Sequence, residues 1–451
     1  MADFMENPTD LRRASRRTFL SRSSAAVAGA ALGSAVARTA HAAGDETIKV
    51  ALVGCGSRGT GAASQALKTK GPMKLWAMAD LFEDRLEASL ANLTKGQQAD
   101  YDREAHGGFA GKIDVPPERR FVGFEAYKQA IDSGVDLVIL TATQHFRPEH
   151  YQYAVRQGKH VFMEKPLAVD VPGVRRVLAA NEEAKKKNLK VVAGFMSRHD
   201  PRYQETIKRL HDGAVGRIGL MRCYWNTGFL RDTPPRAADE AEMVYQLRHP
   251  YHFLWLSGDY FVDALIHAID TCLWAKGVHP VAAQGQGGRQ FRLENQSGDG
   301  FDHHFVEYTF EDESKMFAQT RQISGCWNCG SKYVHGEKGI AWIDRGQIEA
   351  AEKWRFQGSV GNPYQIEHDV LIDAIRNDKP HNETEYAAIS TMTAILGRMA
   401  TYSGQMITWD DAMKSTVSLA PEVYALDAAP PVVADANGQY PVAMPGVTKV
   451  L

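Results

Sequence analysis

The chain has 451 residues, 44% of them hydrophobic and 24% charged, with 39 Gly, 19 Pro and 5 Cys. That length predicts two or three domains with a large core, and the apolar content excludes a disordered chain. Five cysteines are too few for a disulfide-built fold, and 52 Lys+Arg against 54 Asp+Glu, a net charge of −2, leave no electrostatic footprint for nucleic acid.

Residues 1–42 differ from the rest. They hold six arginines against three carboxylates, then an Ala/Gly/Ser-rich run from Ser23 to Ala37 and the small-residue sequence Ala40-His41-Ala42. A basic segment, a short mildly apolar run and a small-residue cleavage site predict an export signal. Ser15-Arg16-Arg17-Thr18-Phe19-Leu20 is similar to the twin-arginine (Tat) signal, so a periplasmic or secreted location is expected. The apolar run is too short and too alanine-rich to span a bilayer, and no membrane span is expected elsewhere. Removing the six arginines and three carboxylates leaves 46 basic and 51 acidic residues, a mildly acidic mature chain.

Residues 46–168 read as a dinucleotide-binding unit. Ile48-Lys49-Val50-Ala51-Leu52-Val53 predicts a buried parallel strand, and Gly54-Cys55-Gly56-Ser57-Arg58-Gly59 follows at once. A helix is predicted from Thr60 to Thr69. In that order Gly54 allows the tight turn, Gly56 admits a pyrophosphate close to the backbone, and Gly59 lets helix and strand pack. The second strand, Lys74 to Ala79, ends in Asp80, where a carboxylate suits an adenosine ribose and repels a 2′-phosphate. NAD is therefore expected, with NADP as the alternative because Arg58 could meet a phosphate. Residues 91–120 lack periodicity and predict a long insertion loop. A helix over 124–133 and a strand over 135–140 follow, then a strand over 160–163. Ligands of doubly wound sheets sit at the carboxyl ends of strands, which places Thr141 and Thr143 beside the cofactor.

Gly158-Lys159-His160-Val161-Phe162-Met163-Glu164-Lys165-Pro166-Leu167, behind such a glycine loop, resembles the GKHV-x-x-EKP signature of the Gfo/Idh/MocA family (glucose–fructose oxidoreductase, inositol dehydrogenase and MocA). Thr141 to His145, with His150, resembles the family's TP-x-x-x-H segment, although Ala142 stands in place of its proline. Segments 194–201, 213–218 and 258–274 extend the resemblance from about residue 48 to about residue 410. It implies an α/β protein: an N-terminal Rossmann doubly wound parallel sheet over 46–168, then a C-terminal α+β domain with an open, mostly antiparallel sheet over 169–420. It also implies hydride transfer between a nicotinamide and a sugar, polyol or related hydroxyl compound, a homo-oligomer built on the open sheet face, and cofactor contacts from His145, Glu164 and Lys165.

Oxidising an alcohol needs a hydride acceptor and a group that takes the hydroxyl proton. Lys165, at a strand end between Glu164 and Pro166, is the first candidate, as a partly desolvated ammonium that exchanges protons or polarises a carbonyl. Asp263, His267 and Asp270 share one face of a predicted helix. His267 is expected to be the general base, with Asp263 or Asp270 orienting it and raising its basicity. Around 242–256 aromatics alternate with polar donors, which suits a sugar face or an ordinary aromatic core. Tyr203, Tyr245 and Arg248 are the substrate-binding candidates. His303 and His304 are expected to edge the cleft.

Cys326-Trp327-Asn328-Cys329 predicts structural thiols or a local disulfide, and no metal site is expected. The tail from 421 is expected to be extended, either wrapping a neighbour or forming a loose end. Outside the cytoplasm no NAD pool is at hand, so the function expected is an exported NAD(P)-dependent oxidoreductase with tightly held cofactor. An NAD-dependent glycoside hydrolase working by transient oxidation and elimination is the alternative, followed by a non-catalytic sugar-binding protein.

Overall fold

Short runs of Val, Ile, Leu and Ala bounded by glycine turns build the first sheet, as buried parallel strands require. The computed structural model describes residues 47–98, 105–106, 108–228, 236–237, 239–291 and 298–451, and the expected export signal lies outside them. The first domain runs β1 (Ile48–Val53), α1 (Ser57–Lys68), β2 (Met73–Asp80) and α2 (Glu83–Lys95), then a small hairpin of β3 (Gln97–Gln98) and β4 (Ala105–His106). It continues with β5 (Arg120–Val122), α3 (Ala126–Asp132), β6 (Leu137–Leu140), α4 (Arg147–Arg156), β7 (His160–Met163), α5 (Val171–Lys186) and β8 (Val191–Ala193). The strands lie in the order β5-β2-β1-β6-β7-β8, every pair parallel. β1 has β2 on one side and β6 on the other, so the order reverses there. That is where a doubly wound sheet opens a crevice at its carboxyl ends.

Two expectations need correction here. The sheet does not stop at 168, because β8 supplies its sixth strand. Nor is 91–120 all loop: α2 reaches Lys95, and Arg120–Val122 pairs with β2 at the sheet edge.

The second domain opens with α6 (Pro201–His211), whose N-cap Asp200 accepts from the Arg202 amide at 2.8 Å. β9 (Ile218–Thr227) leads to α7 (Glu242–Arg248), α8 (Leu254–Ser257), α9 (Tyr260–Asp263) and α10 (Ile266–Lys276). The strands β10 (Ala282–Gly288), β11 (His303–Thr309), β12 (Lys315–Gln322), β13 (Lys332–Gly336), β14 (Gly339–Trp342), β15 (Gln347–Glu349) and β16 (Lys353–Arg355) follow. Then come α11 (Pro363–Arg376), α12 (Thr384–Ser403), β17 (Ile407–Thr408) and α13 (Trp409–Lys414). Nine strands form one sheet in the order β16-β15-β14-β13-β9-β12-β11-β10-β17, antiparallel except for the β9–β12 pair.

Burial alternates along β11 and β12, so one sheet face packs inward while Phe305 and Phe317 stand on the other. α12 is buried on nearly all sides, and one continuous apolar core joins it to residues of both sheets. Arg398 on α12 donates to Val169 O at 2.7 Å and to Gly258 O at 3.0 Å, tying the two domains together. The angle between the domains, and hence the cleft, is set by shared core. Among the described residues no helix is long and apolar enough to cross a membrane.

The predicted helix over 258–274 is broken between Asp263 and Ile266. Its start is pinned at Asp259, a non-glycine residue at φ +80°. The buried Asp259 carboxylate accepts from the Phe261 and Phe301 amides, His304 Nε2 and the Tyr402 hydroxyl. Burial pushes that carboxyl up, but His304, Tyr402 and the Phe261 amide outweigh it and hold it below the usual range. His304 is therefore a buried brace for this turn, and His303 pairs with Asp302; neither edges the cleft as expected.

Candidate active site

Gly54 turns out of β1 at φ +95°, and Thr141 after β6 donates to Gly54 O at 2.7 Å. α1 then begins at Gly56 with no side-chain cap, so its first amides and the positive end of its dipole face the crevice. A Cβ on Gly56 would meet nothing within 4 Å, whereas on Gly59 it would lie 1.9 Å from Gly54 O. The glycine loop is thus packed tightly on one side and open on the other, a fit for a pyrophosphate. Asp80 closes that end. Its carboxylate braces the Cys55 amide at 2.6 Å and the Phe82 amide at 2.9 Å, and burial raises its pKa. Each oxygen keeps a lone pair for a ribose hydroxyl.

Arg58 turns the other way. Its Nε meets Glu164 Oε1 at 2.5 Å, and both terminal nitrogens reach Gln65 Oε1 at 3.0 Å. The guanidinium that left NADP open as the alternative is engaged by a buried carboxylate, which removes that argument.

The crevice is a cleft of about 590 Å³ running from Asp80 past Gly56, Ser57, Thr141 and Thr143 to Lys165, Asp263 and His267. At that far end Lys165 Nζ donates to Asp263 O at 2.7 Å and lies 3.4 Å from Asp263 Oδ1. The same Oδ1 accepts from Gln144 Nε2 at 2.5 Å. Lys165 is therefore an ion-paired ammonium held against the helix break. His267 lines the cleft, but among the described residues no carboxylate is hydrogen-bonded to it: Asp263 points to Lys165, and Asp270 is buried under Arg198 and Ser390. Burial, Lys165 and Lys332 push the His267 imidazole well below its ordinary value, opposite to the raised basicity expected.

Residues 48–195 match the family model GFO_IDH_MocA, described as "Oxidoreductase family, NAD-binding Rossmann fold". The likeness to the Gfo/Idh/MocA family is thus carried by the dinucleotide-binding part of the chain. It is 28% identical over 163 residues to the scyllo-inositol 2-dehydrogenase (NAD(+)) of Bacillus subtilis (strain 168), covering 36% of this chain and 42% of that protein. With an inositol 2-dehydrogenase of Ralstonia nicotianae the identity is 28% over 221 residues, or 49% and 57% of the two chains. The chain thus spans about half the length of these curated relatives. The fold is similar to that of the Lactobacillus casei scyllo-inositol dehydrogenase crystallised with NAD(H) and scyllo-inositol, with TM-score 0.59, 19% identity, and 81% and 100% of the two chains covered. An aldose-aldose oxidoreductase of Caulobacter crescentus superposes with TM-score 0.60 at 17% identity, covering 80% and 100%.

The substrate-binding candidates part company in the structure. Arg248 lines the cleft, but Tyr203 and Tyr245 do not. Tyr203 is buried against Lys332 Nζ at 3.4 Å, and Tyr245 sits fully enclosed in an aromatic core. Tyr245 belongs to the 242–256 pattern of aromatic and polar residues that a core shares, whereas Tyr203 stands outside it on α6. His145 is not among the cleft-lining residues; its Nε2 meets the Tyr424 hydroxyl at 2.7 Å. Cys326 and Cys329 are free thiols, which decides against the local disulfide.

Sequence reasoning missed Gln144 and Arg147. Arg147 is a buried guanidinium that donates to Pro166 O and, at 2.8 Å, to Ala142 O, locking the segments on either side of the lysine. Its neighbour His150 stacks on Tyr127 at 4.1 Å. Burial and the adjacent Arg147 push the His150 imidazole down to about 3. The unfolded chain takes up this proton near pH 6.5 while the folded chain does not, so the stability that neutral His150 contributes is present above that value and is lost on acidification. In urea denaturation at about pH 7.5 and about pH 5.5, wild type is expected to lose about 1 kcal/mol more than His150→Phe. Equal losses would contradict this reading.

Proposed function

We propose that the protein is an NAD-dependent oxidoreductase acting on a CH–OH group of a sugar or polyol. The observation that carries it is the convergence of Lys165, Asp263 and His267 at one end of a cleft whose other end is Gly56 and Asp80. The inositol dehydrogenases among its relatives support a cyclic polyol or sugar as substrate. NAD rather than NADP fits Asp80, since a 2′-phosphate would lie against a buried carboxylate and Arg58 is held by Glu164.

Bound NAD supplies the hydride acceptor. Asp263 fixes Lys165 through both its backbone carbonyl and its carboxylate, and Gln144 fixes Asp263. Lys165 Nζ then bonds the substrate oxygen and stabilises the negative charge that develops as its proton leaves. His267, kept neutral by burial and by the two lysines, accepts that hydroxyl proton. The glycine loop and Asp80 hold the dinucleotide in register with these groups.

The protein is exported through its twin-arginine signal as a folded, NAD-loaded homo-oligomer. Support for export comes from the sequence of residues 1–42, with the twin arginines at 16 and 17. Loss of periplasmic protein on changing Arg16 and Arg17 to Lys would support it; unchanged export would refute it. For the activity, the purified protein is incubated with NAD and a panel of inositols, aldoses and aryl glycosides. Polyol-dependent formation of reduced cofactor is the expected result. Aglycone release without net reduction would overturn the assignment in favour of redox-assisted glycoside cleavage.

A further inference from the structure

We infer that α7, the turn following it to His252, and the chain tail over 419–440 form a fixed cap over the adenosine end of the cleft, so that NAD is a resident group of this protein rather than an exchanging one. The inference rests on the NAD-binding reading above.

The β2–α2 turn carries Asp80 and then Phe82. Phe82 is buried in the same apolar cluster as Met243 and Leu247 of α7, Phe253, Trp255, and Tyr440 of the tail. Three segments remote in sequence therefore share one small core at the adenosine end. On its cleft side Leu247, Arg248, His249 and Tyr251 line the crevice with Asp80 and Arg85. The Arg248 guanidinium lies over the Phe82 ring at 4.1 Å and meets Asp84 Oδ2 at 3.0 Å. Arg85 returns the contact by donating to Arg248 O at 2.9 Å.

The outer side of the same segment is fastened by the tail. Trp255 Nε1 donates to Gln246 Oε1 at 2.7 Å, and Gln246 Nε2 donates to Val432 O at 2.7 Å. Tyr440 packs edge-on against Phe253 at 5.1 Å, and its hydroxyl bonds Glu242. Upstream, the Leu419 amide donates to Asp170 Oδ2 at 2.9 Å and Tyr424 meets His145. The tail wraps its own chain, which answers the choice between a neighbour and a loose end.

A surface ion pair such as Arg248–Asp84 is screened and opens readily. The buried aromatics behind it do not open without exposing apolar surface to water. The cap behaves as core, and release of the dinucleotide must wait for the core to loosen.

The test is the rate at which NADH leaves the loaded protein, followed by fluorescence after dilution into an excess of a scavenging dehydrogenase. Wild type is expected to release it more slowly than the capless variants, with Tyr440→Ala and a chain ending at 418 at least about tenfold faster. Arg248→Ala is expected to be faster than wild type by a smaller factor. If the shortened chain does not fold, the two point variants still decide. Equal release rates in wild type, Arg248→Ala and Tyr440→Ala would overturn the cap while leaving NAD binding intact. Failure of wild type to bind the dinucleotide at all would overturn the proposed function, and the cap with it.

Discussion

Lys165→Met is expected to lower kcat/KM on the active polyol by about a thousandfold, with NAD affinity changed by less than about tenfold. Methionine keeps the length and apolar stem of lysine, so the helix break at Asp263 keeps its packing. What disappears is the ammonium that donates to Asp263 O and Oδ1. The developing alkoxide then faces a carboxylate with no intervening positive charge. In the proposed function the dinucleotide is held chiefly at the other end, by α1 and Asp80, which is why binding should survive. Lys165→Arg restores the charge, but its planar fork cannot occupy the same point between carbonyl and carboxylate, so at most about a tenfold recovery is expected. Steady-state rates and NAD titration of the two variants provide the check. A Lys165→Met enzyme within tenfold of wild type would remove Lys165 from the reaction.

How far the site was legible in the sequence depends on how local its parts are. The strand, the glycine loop, α1 and Asp80 lie within one βαβ unit, and short-range rules fix their order in space. Lys165 was legible for the same reason, standing at the end of β7. Its partners were not. Gln144 and Asp263 are 119 residues apart, and Arg198 and Asp270 are 72 apart. No spacing rule connects such pairs, so helix spacing leaves Asp263 and Asp270 both open as partners of His267, although a distant lysine holds one and a distant arginine the other.

Aromatic residues misled for a different reason. Tyr245 and Arg248 are neighbours on α7, yet one is sealed in the core and the other lines the cleft. A seven-residue helix carries too few turns for its buried face to be read from periodicity, and only the tail packed behind it decides. That tail is extended and has no repeating pattern. Its role in the fold is set entirely by partners such as Gln246 and Glu242.

Gly59→Ala and Gly56→Ala should separate the two jobs of the loop. A methyl on Gly59 would sit 1.9 Å from Gly54 O and 2.7 Å from Thr141 Oγ1. Neither neighbour can retreat, because Gly54 is itself packed against the backbone of Thr141 and Ala142. α1 must move off the sheet, and a loss of more than about 3 kcal/mol in unfolding free energy is expected. Gly56 is the opposite case. Its φ of −68° suits alanine and its missing side chain meets nothing, so stability should change by less than about 0.5 kcal/mol. The methyl would instead occupy the space that the pyrophosphate needs, and NAD affinity should fall by about ten- to a hundredfold, or about 1.4–2.8 kcal/mol. Denaturation and NAD titration on both variants give a crossed pattern: one unfolds early, and the other folds normally and binds poorly. If Gly56→Ala binds NAD like wild type, the open side of the loop is not where the pyrophosphate lies.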